Sequence, residues 1–425
     1  MNEKNDFALV PRPPIEIEKA ESGTKRVLSG MVVETLALAR REAELVEVIY
    51  QRGLRFEKQG EHAEAFDCFK RAAERRHLLS QYKLGCCYDF GNGVPQNSVE
   101  AAKWYRESAE QGLAISQFMT GDCYRVGEGV QQNMQEAVKW YRKAADQGLS
   151  TAQVNLAMCY RHGQGVPQDM AEAAKWYYKA AEQGDAEAQS SLGDFYRNGE
   201  GVRRNMAEAA KWCRKAAELG HVTAQHNLAV HYTCGAGVPQ DYAAAVQWYR
   251  AAAERGFPEA QACLGFCYHT GHGVPEKKPW SDTDAVNWYR RAAKAGNVLA
   301  IHNLAVCCSW GRGVEHDHSE AVRLFQMLAE KGNPTAQYNL GLTYLYGRGV
   351  DKDLAQAYKW FKLAAEQGYE LASKEMASTE ILLSPERFQK TERNEARTHQ
   401  RFIPMMSPQQ FPKVEYGFVF AESAP

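Results

Sequence analysis

The chain has 425 residues, 44% of them hydrophobic, and a formal net charge of −1. The near-neutral balance removes any bulk attraction to nucleic acid or to an acidic membrane, and no apolar run reaches the ~20 residues that a membrane helix needs. The eleven cysteines include no CxxC and follow no secretory signal, so free thiols in a cytoplasmic, reducing setting are expected.

Residues 1–22 are charged and proline-containing and are expected to be flexible. The polyproline-like "LVPRPP" lies within them. The segment 23–76 holds a helix, "TKRVLSGMVVETLALARREAE", and then a degenerate helical hairpin, read as an N-terminal cap. That hairpin lacks the glycine loop seen further on, and it has Cys68 and Phe69 where Trp and Tyr recur later.

From 77 to 368 the chain repeats itself. Closing glycines at Gly112, Gly148, Gly184, Gly220, Gly256, Gly296, Gly332 and Gly368 are spaced by 36 residues, with one step of 40. Tryptophan keeps the same beat from Trp104 to Trp360, with Leu324 in its place once. Self-similarity at this period marks a repeat architecture, here of eight units. Each unit reads as two helices. In "STAQVNLAMCYRHG", Ala152, Leu156, Ala157 and Tyr160 form one buried stripe. Gly163 ends that helix in a left-handed conformation. Asp169 then caps the next helix, with Glu172 three residues on in a capping-box pattern. Asn97/Glu100, Asn133/Glu136, Asn205/Glu208, Asp317/Glu320 and Ser281/Asp284 repeat the pair. A glycine loop that recurs eight times, with a capping acid where an anion would dock and no Walker lysine, is structural and is not a phosphate site.

The pattern A-x-x-L-G-x-x-Y-x-x-G-x-G-V-x-x-D-x-x-E-A-x-x-W-Y-x-x-A-A-E-x-G resembles the Sel1-like repeat family, relatives of tetratricopeptide repeats, and its units look most like bacterial members. The resemblance implies an all-α fold, an α/α solenoid wound as a right-handed superhelix, and adaptor or scaffold work. Residues 369–402 are expected to form closing helices, the second of them capped by Ser384. Residues 403–425 are expected to be a flexible tail holding the apolar "KVEYGFVF".

Ligands of such arrays are expected in the concave groove lined by first helices. One column of that face contains Arg125, Arg161 and Arg197, a candidate ladder for carboxylates of an acidic protein or peptide. The competing reading pairs them with Asp122, Asp194 and Glu128. Neighbouring columns supply Phe118, His226, His302, Trp310, Tyr338 and Tyr346 as candidate anchors, and Trp310 stands off the tryptophan beat. The recurring Cys87, Cys123, Cys159, Cys267 and Cys307 read as small buried side chains. Cys263 and Cys267 lack a histidine pair to complete a zinc site, and "EHDHSE" reads as a surface loop. No catalytic constellation is present. The expectation is therefore a monomeric binding scaffold, with no catalytic residue, metal or cofactor and with no nucleic-acid or membrane partner. The alternatives are a β-lactamase-like hydrolase, implied by cysteine-rich members of the same family, and a self-associating spacer.

Overall fold

The computed structural model describes residues 24–274 and 281–383, with side chains from 38 onward except that of Ser281. The described residues are helical, with no strand among them. They fall into two compact units, Met1–Gln147 and Gly148–Pro425.

The first unit contains α1 (Thr24–Gln59), α2 (His62–Ala73), α3 (Leu78–Phe90), α4 (Ser98–Glu110), α5 (Ala114–Val126) and α6 (Met134–Asp146), packed as three successive hairpins. The second runs through α7 (Ser150–His162), α8 (Met170–Glu182), α9 (Ala186–Asn198), α10 (Met206–Glu218), α11 (Val222–Cys234), α12 (Tyr242–Glu254) and α13 (Pro258–Thr270). It continues with α14 (Ser281–Lys294), α15 (Val298–Trp310), α16 (His318–Glu330), α17 (Pro334–Tyr346), α18 (Leu354–Glu366) and α19 (Glu370–Leu383). Within each unit, each helix packs on its neighbours in sequence, as the helices of a solenoid do. The expected segment 384–402 and both tails lie outside the described residues.

Two sequence expectations change in detail. The helix preceding the array and the first helix of the capping hairpin are one continuous element, α1. Nothing between Met31 and Arg52 breaks a helix, and the segment is rich in Ala, Leu, Arg and Glu. The capping box is only half formed. Asp169 Oδ1 accepts from the N–H groups of Ala171 and Glu172 at 2.9 and 3.0 Å. Its own N–H is already bound to the Tyr160 carbonyl at 2.9 Å, which leaves Glu172 to pair with Lys175 on the next turn.

The two loop glycines have different duties. Gly163 is the left-handed cap of α7, at φ 68°. The second glycine of a pair is a contact between hairpins: a Cβ on Gly237 would come within 3.0 Å of the Met206 carbonyl, and one on Gly201 would do the same at Met170.

The centre of each hairpin is the residue after the tryptophan. Tyr105, Tyr141, Tyr177, Tyr249, Tyr289, Phe325 and Phe361 are at most 3% exposed. They lie over a small residue of the first helix. A Cβ on Gly85, Gly121, Gly265 or Gly341 would fall within 3.0 Å of the facing ring, and Ala157, Ala229 and Ala305 take the same place elsewhere. The tryptophans divide. Trp140, Trp176 and Trp212 are buried, at 8%, 7% and 3% exposed, while Trp104, Trp248, Trp288 and Trp360 are half-buried. Cations one turn on cover several of them, with Lys179 Nζ 3.8 Å from the Trp176 ring.

Glutamines tie adjacent hairpins together. In the second unit, Gln189, Gln225, Gln261 and Gln337 are buried and each donates to a carbonyl at the end of the preceding second helix, at 3.0–3.2 Å. The side-chain oxygen of such a glutamine accepts from a second glutamine 30 residues on, as in Gln183–Gln153 at 2.7 Å and Gln367–Gln337 at 2.8 Å. Leu219 and Arg255 stand in place of that second glutamine opposite Gln189 and Gln225, and Gln189 Oε1 and Gln225 Oε1 are then buried with no partner. Leu219→Gln should supply the missing donor and raise stability by about 0.5–1.5 kcal/mol, read as a higher urea midpoint with an unchanged slope.

Candidate functional site

The column of predicted arginines has a structural duty, to meet the buried tyrosine hydroxyl of its own hairpin. In the first unit, Asp89 accepts from the Tyr105 hydroxyl at 3.0 Å. Arg125 donates to the Tyr141 hydroxyl at 3.2 Å while paired with Asp122 at 2.7 Å. Its side chain stays 46% exposed, so part of the guanidinium remains open to a ligand. Phe118 is half-buried, 5.7 Å from the Tyr141 ring.

In the second unit, Arg161 is half-buried. It is hydrogen-bonded to the Tyr177 hydroxyl and lies 5.5 Å from the Phe195 ring. Arg197 is the departure. Its hairpin has Cys213 where the others have an aromatic ring, so no hydroxyl is available to it. It pairs instead with Asp194 at 2.9 Å, both side chains 8% exposed. Burial pushes the Asp194 carboxyl up to about 6, with Arg197 and then Arg161 opposing that rise. The pairing of arginines with Asp122 and Asp194, weighed from sequence as the competing reading, is present in both cases.

Three other predicted anchors are packing residues. His226 is fully buried between Tyr249 and Phe257, at 5.5 and 5.4 Å. His302 is fully buried against Phe325. Tyr338 is 5% exposed between Phe361 and Tyr369. Their column points at the hairpin's own second helix and not at solvent.

Trp310 and Tyr346 differ from these. Both are half-buried at the C-terminal ends of α15 and α17, and they share Arg348, whose guanidinium carbon is 5.7 Å from the Trp310 ring and 5.1 Å from the Tyr346 ring. Sequence reasoning missed Arg348. Its signal was the loop position that reads Glu128, Gln164 and Glu200 early in the array and turns basic at Arg312 and Arg348. The neighbouring His318 is held below the usual imidazole range by burial, then by His316 and Arg348. An aromatic–arginine–aromatic set is built to hold a cation's face while its edges stay free for a carboxylate.

Several of the thiols are poor nucleophiles. Burial drives Cys87, Cys123, Cys267 and Cys307 up to about 12 and raises Cys263 further. Among the described residues no cluster of ligand-type side chains could hold a metal ion, and no helix is long and apolar enough to cross a membrane.

The geometry defines a class: a helical-hairpin repeat protein with a partly open face of first helices. The Sel1 repeat model matches nine times, at residues 44–77, 78–113, 114–149, 150–185, 186–221, 222–257, 258–297, 298–333 and 334–369. The chain belongs to the Sel1 repeat family, whose members generally serve as non-catalytic protein-interaction scaffolds. The hairpin read as a degenerate cap counts as the first of the nine.

Solved structures similar to it come from bacteria. One is c5321, a protective antigen of uropathogenic Escherichia coli, at 31% identity over 84% of this chain and 92% of that one, with a TM-score of 0.48. Another is a Sel1 repeat protein from Oxalobacter formigenes, at 34% identity over 57% of this chain and 96% of that one, with a TM-score of 0.50. The immunity protein Pa5087 from Pseudomonas aeruginosa is 19% identical over 49% of this chain and 81% of that one, with a TM-score of 0.32. No match is found among the curated proteins.

Proposed function

We propose that the chain is an adaptor that captures an acidic segment of a partner protein on its first-helix face. The observation that carries this reading is the Trp310–Arg348–Tyr346 set, in which two half-buried rings flank one guanidinium. Aromatic and arginine side chains held in place lose little entropy on binding, which is why such residues dominate interface energetics. Arg161, in the same unit, supplies a further polar contact. Arg197 serves this surface less directly, since its guanidinium is committed to Asp194.

A display library of unstructured peptides selected on the full chain tests the reading. Acidic sequences with an aromatic or aliphatic neighbour should be enriched. Arg348→Glu should weaken the selected peptides about tenfold or more, roughly the 1.4 kcal/mol or greater of a hot-spot residue, with the melting temperature unchanged. Arg161→Glu should have a smaller effect in the same direction. Enrichment of basic or charge-neutral peptides, or binding indifferent to Arg348→Glu, would contradict the proposal. Arg197 is unsuitable for charge reversal, because a second buried carboxylate beside Asp194 would destabilise the fold itself.

A further inference from the structure

The second glycine of each loop pair rests on the start of the preceding second helix. Added Cβ atoms on Gly237, Gly273, Gly313 and Gly349 would come within 3.0 Å of the backbone of Met206, Tyr242, Asp282 and His318. The residue before that glycine is carried to the same place, and His272 stacks on Tyr242 with ring centroids 4.9 Å apart. An arginine takes this loop position at Arg312, where the helix start is Asp282, and again at Arg348, where it is His318. An imidazole thus replaces the acid beside the arginine that Trp310 and Tyr346 flank.

The His318 ring lies 4.1 Å from that of His316, edge to face. His316 is exposed and His318 half-buried. The charged groups that bear on His318 are His316 and Arg348, which oppose its protonation, and Asp317, which favours it. Burial is the largest influence and also opposes it, so the imidazole is held below its ordinary range. Asp317 is engaged in capping, its Oδ1 accepting from the Glu320 N–H at 2.9 Å, and Glu320 is paired with Arg323 at 2.7 Å. His318 is also the first residue of α16, where a cation is unfavourable and an anion favourable. A carboxylate brought in against Arg348 would relieve each of these oppositions at once.

We infer that His318, with His316 against it, is the second cation of the Arg348 site, and that an acidic segment binds there with uptake of a proton and more tightly as the pH falls. This rests on the reading of Trp310, Arg348 and Tyr346 as the capture site. Without a ligand, His318 is largely neutral at neutral pH. A ligand carboxylate raises its proton affinity, so binding is tightest below the unliganded titration and weakens as pH rises through the liganded one. Aspartate and glutamate of the ligand stay ionised from about pH 6 to 8, so the trend belongs to the protein. His318 takes part through its imidazole at the first residue of α16, which leaves the hydrogen-bonded amides of that helix as they are.

Titration calorimetry of the full chain tests the inference, using a selected acidic peptide free of histidine and two buffers of unlike ionisation enthalpy. The expected result is net proton uptake, with binding about three- to tenfold tighter at pH 6 than at pH 8. His316→Gln combined with His318→Gln should abolish both effects and keep the pH 8 affinity. Its melting temperature should be unchanged, because Asp317 and neither histidine caps α16. His318→Gln alone should remove most of the uptake. Binding independent of pH, or a pH dependence that survives the double variant, would overturn the inference, while loss of binding in Arg348→Glu would still uphold the capture site. Binding indifferent to Arg348→Glu would remove the site itself, and the inference with it.

Discussion

Tyr249→Ala should destabilise the second unit by about 3–5 kcal/mol, the range for emptying a buried aromatic site. Urea unfolding followed by circular dichroism measures it. The ring is 3% exposed, its hydroxyl meets Thr233 at 3.3 Å, and His226 lies 5.5 Å away. Truncation leaves a cavity beneath Ala229 that neighbours on two helices cannot close without moving. Trp248→Ala is the informative companion. Trp248 is larger but half-buried at the edge of the hairpin, so its loss should cost roughly half as much or less, in proportion to the area it removes from water. Equal losses at the two positions would show that the tryptophan carries the core after all.

Gly237→Ala should rank second, and it tests how hairpins approach one another. Gly237 has φ 76°, where an L side chain costs about 1–2 kcal/mol. A Cβ there would also strike the Met206 carbonyl and the backbone beyond it, and forcing extra atoms into a packed contact adds about 1–3 kcal/mol. Gly256→Ala separates the two causes. Its φ is 89°, yet nothing lies within 4 Å of the added methyl, so only the conformational part should appear. Comparable destabilisation by the two variants would mean that the loop glycine turns the chain without joining neighbouring hairpins.

The sequence made the repeat plain because each hairpin carries its own punctuation: a capping Asn or Asp, a closing glycine and a loop glycine pair. These are local signals, and local signals survive translation into structure. What it hid depends on residues far apart along the chain. The tryptophan beat drew attention to the largest side chain, while the core centre is set by a small residue facing an aromatic 20 positions later, as Gly121 faces Tyr141. Gln183 and Gln153 meet across 30 residues, and no single-helix pattern announces it. Arg125, Arg161 and Arg197 looked alike as a column, but their surroundings differ with the residue 16 positions on, tyrosine twice and Cys213 once. Trp310 could be singled out from sequence because it stands off the tryptophan beat, and Tyr346 because it ends the same column; that they anchor a partner is our proposal. Arg348 could not be, since loop charges seldom show what they lie against.

Hydrogen–deuterium exchange of the full chain, with and without a peptide selected on it, tests the central claim most directly. The account predicts slowed exchange at the C-terminal ends of α15 and α17 and in the loop around Arg348, with the second helices α16 and α18 unchanged. Protection centred on those second helices, or none at any first helix, would contradict a partner held on the first-helix face.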